Sequence, residues 1–139
     1  MKKYTNYAFS YAVLAMIVGV FYREFTKFNG FTGKTTLAVG HVHLFALGTI
    51  LIMVIGLYCA KTSLEKEKQF ILFWRLYNFA LPFMVIMFMV RGVLQVLGVE
   101  LSKGANAAIS GIAGISHILM AVSLILLFLA LRKAKELKS

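Results

Sequence analysis

Gly40-His41-Val42-His43-Leu44-Phe45-Ala46-Leu47-Gly48 lies in a run from about Leu37 to Cys59 that holds no Lys, Arg, Asp or Glu. A helix needs roughly 20 apolar residues to cross the hydrocarbon of a bilayer, and this run is long enough. Within it, His41 and His43 are two residues apart. Each helical step turns about 100°, so their side chains leave the helix about 200° apart. One helix therefore presents two imidazoles toward two different neighbours, near the point where it enters the membrane.

Working outward, three more segments have the length and apolarity to span: about Tyr4 to Tyr22, Phe70 to Leu97, and Ala105 to Leu131. The connections between them are short, from Arg23 to Thr36, Ala60 to Gln69 and Gly98 to Gly104, and short connections force antiparallel neighbours. The expected fold is an all-α integral membrane protein, one domain over residues 1–139, built as an antiparallel bundle of four transmembrane helices. Met1-Lys2-Lys3 before the first apolar run resembles a signal peptide, but no small-residue cleavage site precedes Arg23, so the run reads as a retained first helix.

The composition agrees: 60% of the 139 residues are hydrophobic and only 14% are charged, with the charges clustered between apolar runs. The net charge of +10 does not point to nucleic acid, because no soluble surface exists to carry a basic patch. On one side fall Lys2, Lys3, Lys61, Lys66, Lys68, Arg75, Arg132, Lys133, Lys135 and Lys138; on the other fall Arg23, Lys27, Lys34, Arg91 and Lys103. The richer side is expected in the cytoplasm, with both termini inside and the His41–His43 pair toward the outer face. The basic tail also suits contact with anionic lipid.

Small residues mark where helices approach. Gly40, Gly48 and Gly56 recur every eight residues, and Gly104, Ala107, Ala108, Gly111 and Gly114 open the last segment. Pro82 is the only proline and predicts a kink in the third segment, since it cannot donate to the Asn78 carbonyl. Arg91 sits in that segment with apolar residues beyond it, a depth at which a charge faces a partner or a polar cavity.

The chemistry available is narrow. None of the five acids lies deep in an apolar segment, which argues against a proton pump or cation exchanger. There is no His-Glu-x-x-His, Walker loop or paired cysteine site, and Cys59 is the lone cysteine. Imidazole from His41, His43 and His117 is the available metal donor, suited to haem iron, copper or zinc. Covalent c-type haem is excluded without Cys-x-x-Cys-His.

Gly40-His41-Val42-His43-x-x-x-x-Gly48, continuing through Gly56 to Tyr58, resembles one helix of the haem–copper oxidase catalytic subunit. In that family such a helix ligates two haems: the first histidine serves the high-spin haem and the second the low-spin one. The family subunit has twelve helices in three groups of four, with the haem-ligating helix second in its group, and its haems lie toward the outer side. The chain also resembles a small family of uncharacterised bacterial four-helix membrane proteins, which places it in a bacterial cytoplasmic membrane.

The resemblance implies a b-type haem, used for electron transfer or for redox or gas sensing, in a homotrimer that recreates the ring of twelve helices. Each cleft would then see His41 of one chain and His43 of the next, with Arg91 and Arg23 pairing with the haem propionates. A single copy lacks the helix that carries the oxidase's copper histidine and cross-linked tyrosine, so oxygen reduction is not expected. A rival arrangement holds the haem within one chain between His43 and His117, whose estimated depths of roughly 9 and 18 Å along their segments differ by several ångströms. A plainer role for His117 is a hydrogen bond to a third-segment carbonyl freed near Pro82. The alternative class is a non-haem protein: a copper- or zinc-binding subunit, a small transporter or a channel. A redox partner would have to dock on short loops or within the membrane.

Overall fold

The structure, a computed structural model, describes residues 1–137; Lys138, counted above among the basic side chains, lies outside them. Four helices are long and apolar enough to cross a membrane: α1 (Lys2–Phe28), α2 (Leu37–Lys61), α3 (Lys68–Val96) and α4 (Lys103–Leu131). A single 3-10 turn, Leu64–Lys66, lies between α2 and α3. The expected segments are all present, each extended or trimmed by a few residues at its polar ends.

The helix ends follow from local chemistry. Gly30 and Gly98 take positive φ values of 59° and 62°, the conformation that lets the chain fold back over a finished helix. The Phe31 and Val99 amides then reach the carbonyls of Thr26 and Leu94, satisfying groups the helix leaves orphaned. At the start of α4 the Ser102 hydroxyl accepts from the Ala105 amide at 3.2 Å.

The helices pack in chain order, α1 on α2, α2 on α3 and α3 on α4, and no substantial contact closes α4 onto α1. The antiparallel order expected from the short connections is present, but the four helices form an open row rather than a closed bundle. The row is drawn together at the basic end. There the Tyr4 hydroxyl donates to Glu65 at 2.5 Å, and the rings of Tyr4 and Tyr7 meet Trp74 edge-on at 5.2 and 5.1 Å. The segment after α4 returns to the α2–α3 turn, where Ser63 N–H donates to the Lys135 carbonyl at 2.8 Å. The start of α1 and the segment 132–137 therefore lie at the same end of the row.

Cys59 packs in this corner, its thiol 3.5 Å from the Tyr4 hydroxyl. Replacing Tyr4 with Phe removes the phenol that joins α1, Cys59 and Glu65. A loss of about 1 kcal/mol is expected, read as a lower midpoint in detergent thermal unfolding, since Glu65 is exposed and water partly replaces the bond.

The eight-residue glycine repeat has a specific cause. Cβ atoms on Gly40, Gly48 and Gly56 would lie 3.2, 2.5 and 2.8 Å from Val18, Tyr11 and Tyr4, so all three glycines face α1. On α1 those partners are seven residues apart, close to two α-helical turns. Eight residues of α-helix overshoot two turns by about 80°, which would carry each successive glycine off the α1 face. The structure resolves the mismatch with a π-helical stretch, Leu44–Leu51, immediately after His43. Wider i→i+5 winding takes more residues per turn, so α2 keeps pace with α1 while spending extra residues. α3, by contrast, remains continuous through Pro82. The departure from α winding thus falls in α2.

Candidate functional site

The start of α2 is anchored to α3 by its preceding threonines. The Thr36 hydroxyl donates to the Phe88 carbonyl at 2.8 Å, the Thr35 hydroxyl donates to the Gly92 carbonyl at 3.1 Å, and the Thr36 amide donates to Gln95 Oε1 at 2.9 Å. Gly92 permits the approach, because a Cβ there would lie 2.6 Å from the Leu37 amide nitrogen. These contacts set the height and rotation at which α2 presents its histidines.

From that position the two rings diverge as the 200° spacing predicts. His41 turns to α1, where its ring lies 6.3 Å from Tyr22 in a stacked arrangement and against Gly19. Its Nδ1 is buried with no hydrogen-bond partner. His43 turns to α3, its ring centroid 4.9 Å from that of Phe88.

His117 comes to the same place from the other side. Its ring meets Phe88 edge-on at 5.5 Å, so one phenyl ring touches an imidazole from α2 and another from α4. The two imidazoles are held alike. His43 Nδ1 bonds the Val39 carbonyl and His117 Nδ1 bonds the Ala113 carbonyl, both at 2.8 Å and both one turn back on their own helix. A carbonyl only accepts, so Nδ1 carries the proton and the lone pair of each neutral ring is left on Nε2. A backbone carbonyl on the far nitrogen is the usual way proteins orient a metal-ligating imidazole and raise its basicity. The His117 bond goes to its own helix, which corrects the plain role expected for it at a carbonyl near Pro82.

Both histidines reach Phe88 despite the different depths estimated along their segments. Arg91, one turn beyond Phe88, reaches across to α4 and donates to Asn106 Oδ1 at 2.5 Å and to Ser110 Oγ. That clamp sets α4 so that His117, two turns farther along, falls beside Phe88. Both partners of Arg91 are neutral, and the only ion pair among the described residues is Arg23–Glu24, 3.6 Å apart and exposed at the end of α1. Arg91 therefore holds a positive charge with no carboxylate within 4 Å, one turn from Phe88 on α3. Arg23 is remote from His43 and His117 by helix, on α1 beside the Tyr22–His41 contact.

No three His, Cys, Asp or Glu residues converge as a metal-binding group among the described residues. Two imidazoles are nonetheless the donor set a six-coordinate haem iron takes, and an uncompensated guanidinium suits a carboxylate-bearing cofactor. The Phe88 ring lies against both imidazoles, so a group held by the two Nε2 atoms would need that ring to move aside.

Phe88, Asn106, Ser110 and Thr36 were not singled out from the sequence. A signal for two of them exists: Asn106, Ser110 and His117 recur at spacings of four and seven, one face of an otherwise apolar helix. Phe88 carries no such mark, since one phenylalanine among many in an apolar helix looks like any other.

A family model described as a protein of unknown function, DUF2871, matches residues 1–134. The chain belongs to this family. No curated protein and no solved structure matches it. The family match spans all four helices, so the histidines of α2 and α4 and the Arg91 clamp all lie within the region that defines it.

Proposed function

We propose that this chain is a membrane-embedded b-type haem protein of the electron-transfer or redox-sensing kind, with His43 and His117 as the axial ligands. The observation that carries this reading is the pair of imidazoles on α2 and α4, both packed on Phe88 and both offering Nε2 while a carbonyl holds Nδ1. When bound, haem supplies a one-electron iron couple, and two imidazole ligands favour electron transfer over gas binding. The chain's own residues orient the rings and present Arg91 to the propionates in place of its neutral partners. Copper on the same imidazoles is the weaker reading, because the unpaired Arg91 repels a cation.

The reading places the four helices across a bacterial cytoplasmic membrane, with the Lys61–Arg132 end and both termini inside. The distribution of Lys and Arg supports it. A homotrimer is supported by the open row. Every glycine within α1, α2 and α3 is met by a neighbouring helix, whereas Gly111 and Gly114 in the body of α4 have nothing within 4 Å. A second copy's helix would fill that groove. Gly111→Leu together with Gly114→Leu is expected to shift the mass in detergent from trimer toward monomer; an unchanged mass removes the α4 groove from the interface.

The test of the haem reading is a reduced-minus-oxidised spectrum of protein purified after haem-replete expression. A sharp Soret band with resolved α and β bands is expected, with haem counted at one per chain. A colourless, correctly folded protein sinks the proposal. Arg91→Leu is expected to weaken haem retention about tenfold through the lost charge-assisted bond, while Arg91→Lys restores part of it. Equal retention in Arg91→Leu and the parent would remove the propionate role.

A further inference from the structure

At the opposite end of the row, the segment after α4 folds across the end of α2. Ser63 N–H donates to the Lys135 carbonyl, Lys135 N–H donates to Ser63 Oγ at 3.0 Å, and Leu137 N–H donates to the Lys61 carbonyl at 3.0 Å. A lone antiparallel bridge pairs Thr62 with Glu136. The crossing leaves a cavity of about 700 Å³ between the tail and the outward side of α2. That volume falls within the range of roughly 300–1,000 Å³ typical of small-molecule sites.

The lining has two chemistries. Val54, Leu57 and Leu137 are each more than half exposed and give an apolar wall, with the Tyr58 ring beside them. The end nearest the loop carries the Lys61 ammonium and the Glu136 carboxylate. Arg132, Lys133 and Lys135 add positive charge along the same short tail. A purely apolar groove on a membrane helix is covered by any acyl chain. This one is closed at its polar end by hydrogen-bonded backbone and is lined there by one cation and one hydrogen-bond acceptor.

We propose that this cavity binds one anionic phospholipid whose headgroup carries hydroxyls, of the phosphatidylglycerol type, from the leaflet at the Lys61 end. The phosphate pairs with Lys61 and the basic tail, the glycerol hydroxyls donate to Glu136, and the first methylenes of an acyl chain lie on Val54, Leu57 and Leu137. Charge complementarity selects the anionic phosphate over a zwitterionic head, since each lysine near an anionic surface contributes attraction that a choline group cancels. Glu136 selects hydroxyls over a second anion, which it would repel. The proposal rests on the membrane placement above but not on haem. Alkaline carbonate extraction tests that placement by itself, because a spanning protein stays in the pellet.

The experiment is native mass spectrometry of the full chain in neutral detergent, titrated separately with phosphatidylglycerol, phosphatidic acid, phosphatidylcholine and inorganic phosphate. One phosphatidylglycerol per chain is expected to survive where phosphatidylcholine is stripped. Lys61→Gln should weaken retention about fivefold. Val54→Trp, which fills the cavity from a lipid-exposed position, should abolish it while helix content by circular dichroism stays the same. Glu136→Gln should erase the preference over phosphatidic acid. Equal retention of phosphatidylcholine, unchanged retention in both Lys61→Gln and Val54→Trp, or displacement of the lipid by free phosphate each overturns the site.

Discussion

Replacing either His43 or His117 with Ala is expected to remove at least about nine-tenths of the haem from the purified protein, whereas His41→Ala keeps most of it. The argument rests on where the rings point. His43 and His117 both lie on Phe88 with Nε2 available, while His41 is turned into α1 against Gly19 and Tyr22. Loss of groups that merely orient a ligand costs about 10- to 100-fold in metal affinity, so loss of the ligand itself sits at or beyond the upper end. Haem content by pyridine haemochrome against protein mass reads the result directly. Loss in His41→Ala and His43→Ala with retention in His117→Ala would favour a haem shared between copies of α2 over one held within a chain. Retention in all three would mean that the histidines serve packing alone.

The second large effect concerns how α2 is held. Gly92→Ala is expected to destabilise the protein by about 1–3 kcal/mol and to weaken haem retention with it. The added Cβ would sit 2.6 Å from a backbone nitrogen of α2, and backbone cannot swing aside as a side-chain tip can. The helices must part at the very level where Thr35 and Thr36 fasten α2 to α3, which moves His43 relative to His117. Gly48→Ala, whose Cβ would meet Tyr11 Cγ at 2.5 Å, is expected to cost a similar amount without shifting the histidine end as far. Gly104→Ala is the control: nothing lies within 4 Å, and alanine's better helix propensity gives a change of about zero or a slight gain. Thermal midpoints in detergent should order the variants Gly104→Ala, then Gly48→Ala and Gly92→Ala well below it. Equal midpoints would show that the close approaches do not carry the packing.

The same variants bear on the π-helical stretch. Gly48 lies inside Leu44–Leu51, and its contact with Tyr11 is part of what keeps an eight-residue repeat facing a seven-residue one. The Tyr77 hydroxyl also donates to the Leu47 carbonyl at 2.8 Å, giving one carbonyl of the widened stretch a partner from α3. Wide winding is costly in isolation and persists here because α1 and α3 both hold it. Its position directly after His43 follows from the packing demand, since the mismatch begins where α2 leaves the anchored threonines.

Sequence alone determined the properties that depend on neighbours in the chain. Four apolar runs of sufficient length, the partition of Lys and Arg between their ends, and the opposed directions of His41 and His43 all follow from residue spacing and a fixed turn per residue. The eight-residue recurrence of Gly40, Gly48 and Gly56 is in the sequence too, but their common face is not, because at a fixed turn they drift apart and only the π winding brings all three onto α1. What only the tertiary structure decided depends on how far one helix slides along another. Whether His117 reaches the same Phe88 ring as His43 hangs on the axial offset of α4, and that offset is set by Arg91 reaching Asn106 and Ser110, fifteen and nineteen residues away. Phe88 joins the two imidazoles only once that offset is in place. The histidine that heads its own motif, His41, ends against α1, and His117, which stood alone in the sequence, shares Phe88 with His43.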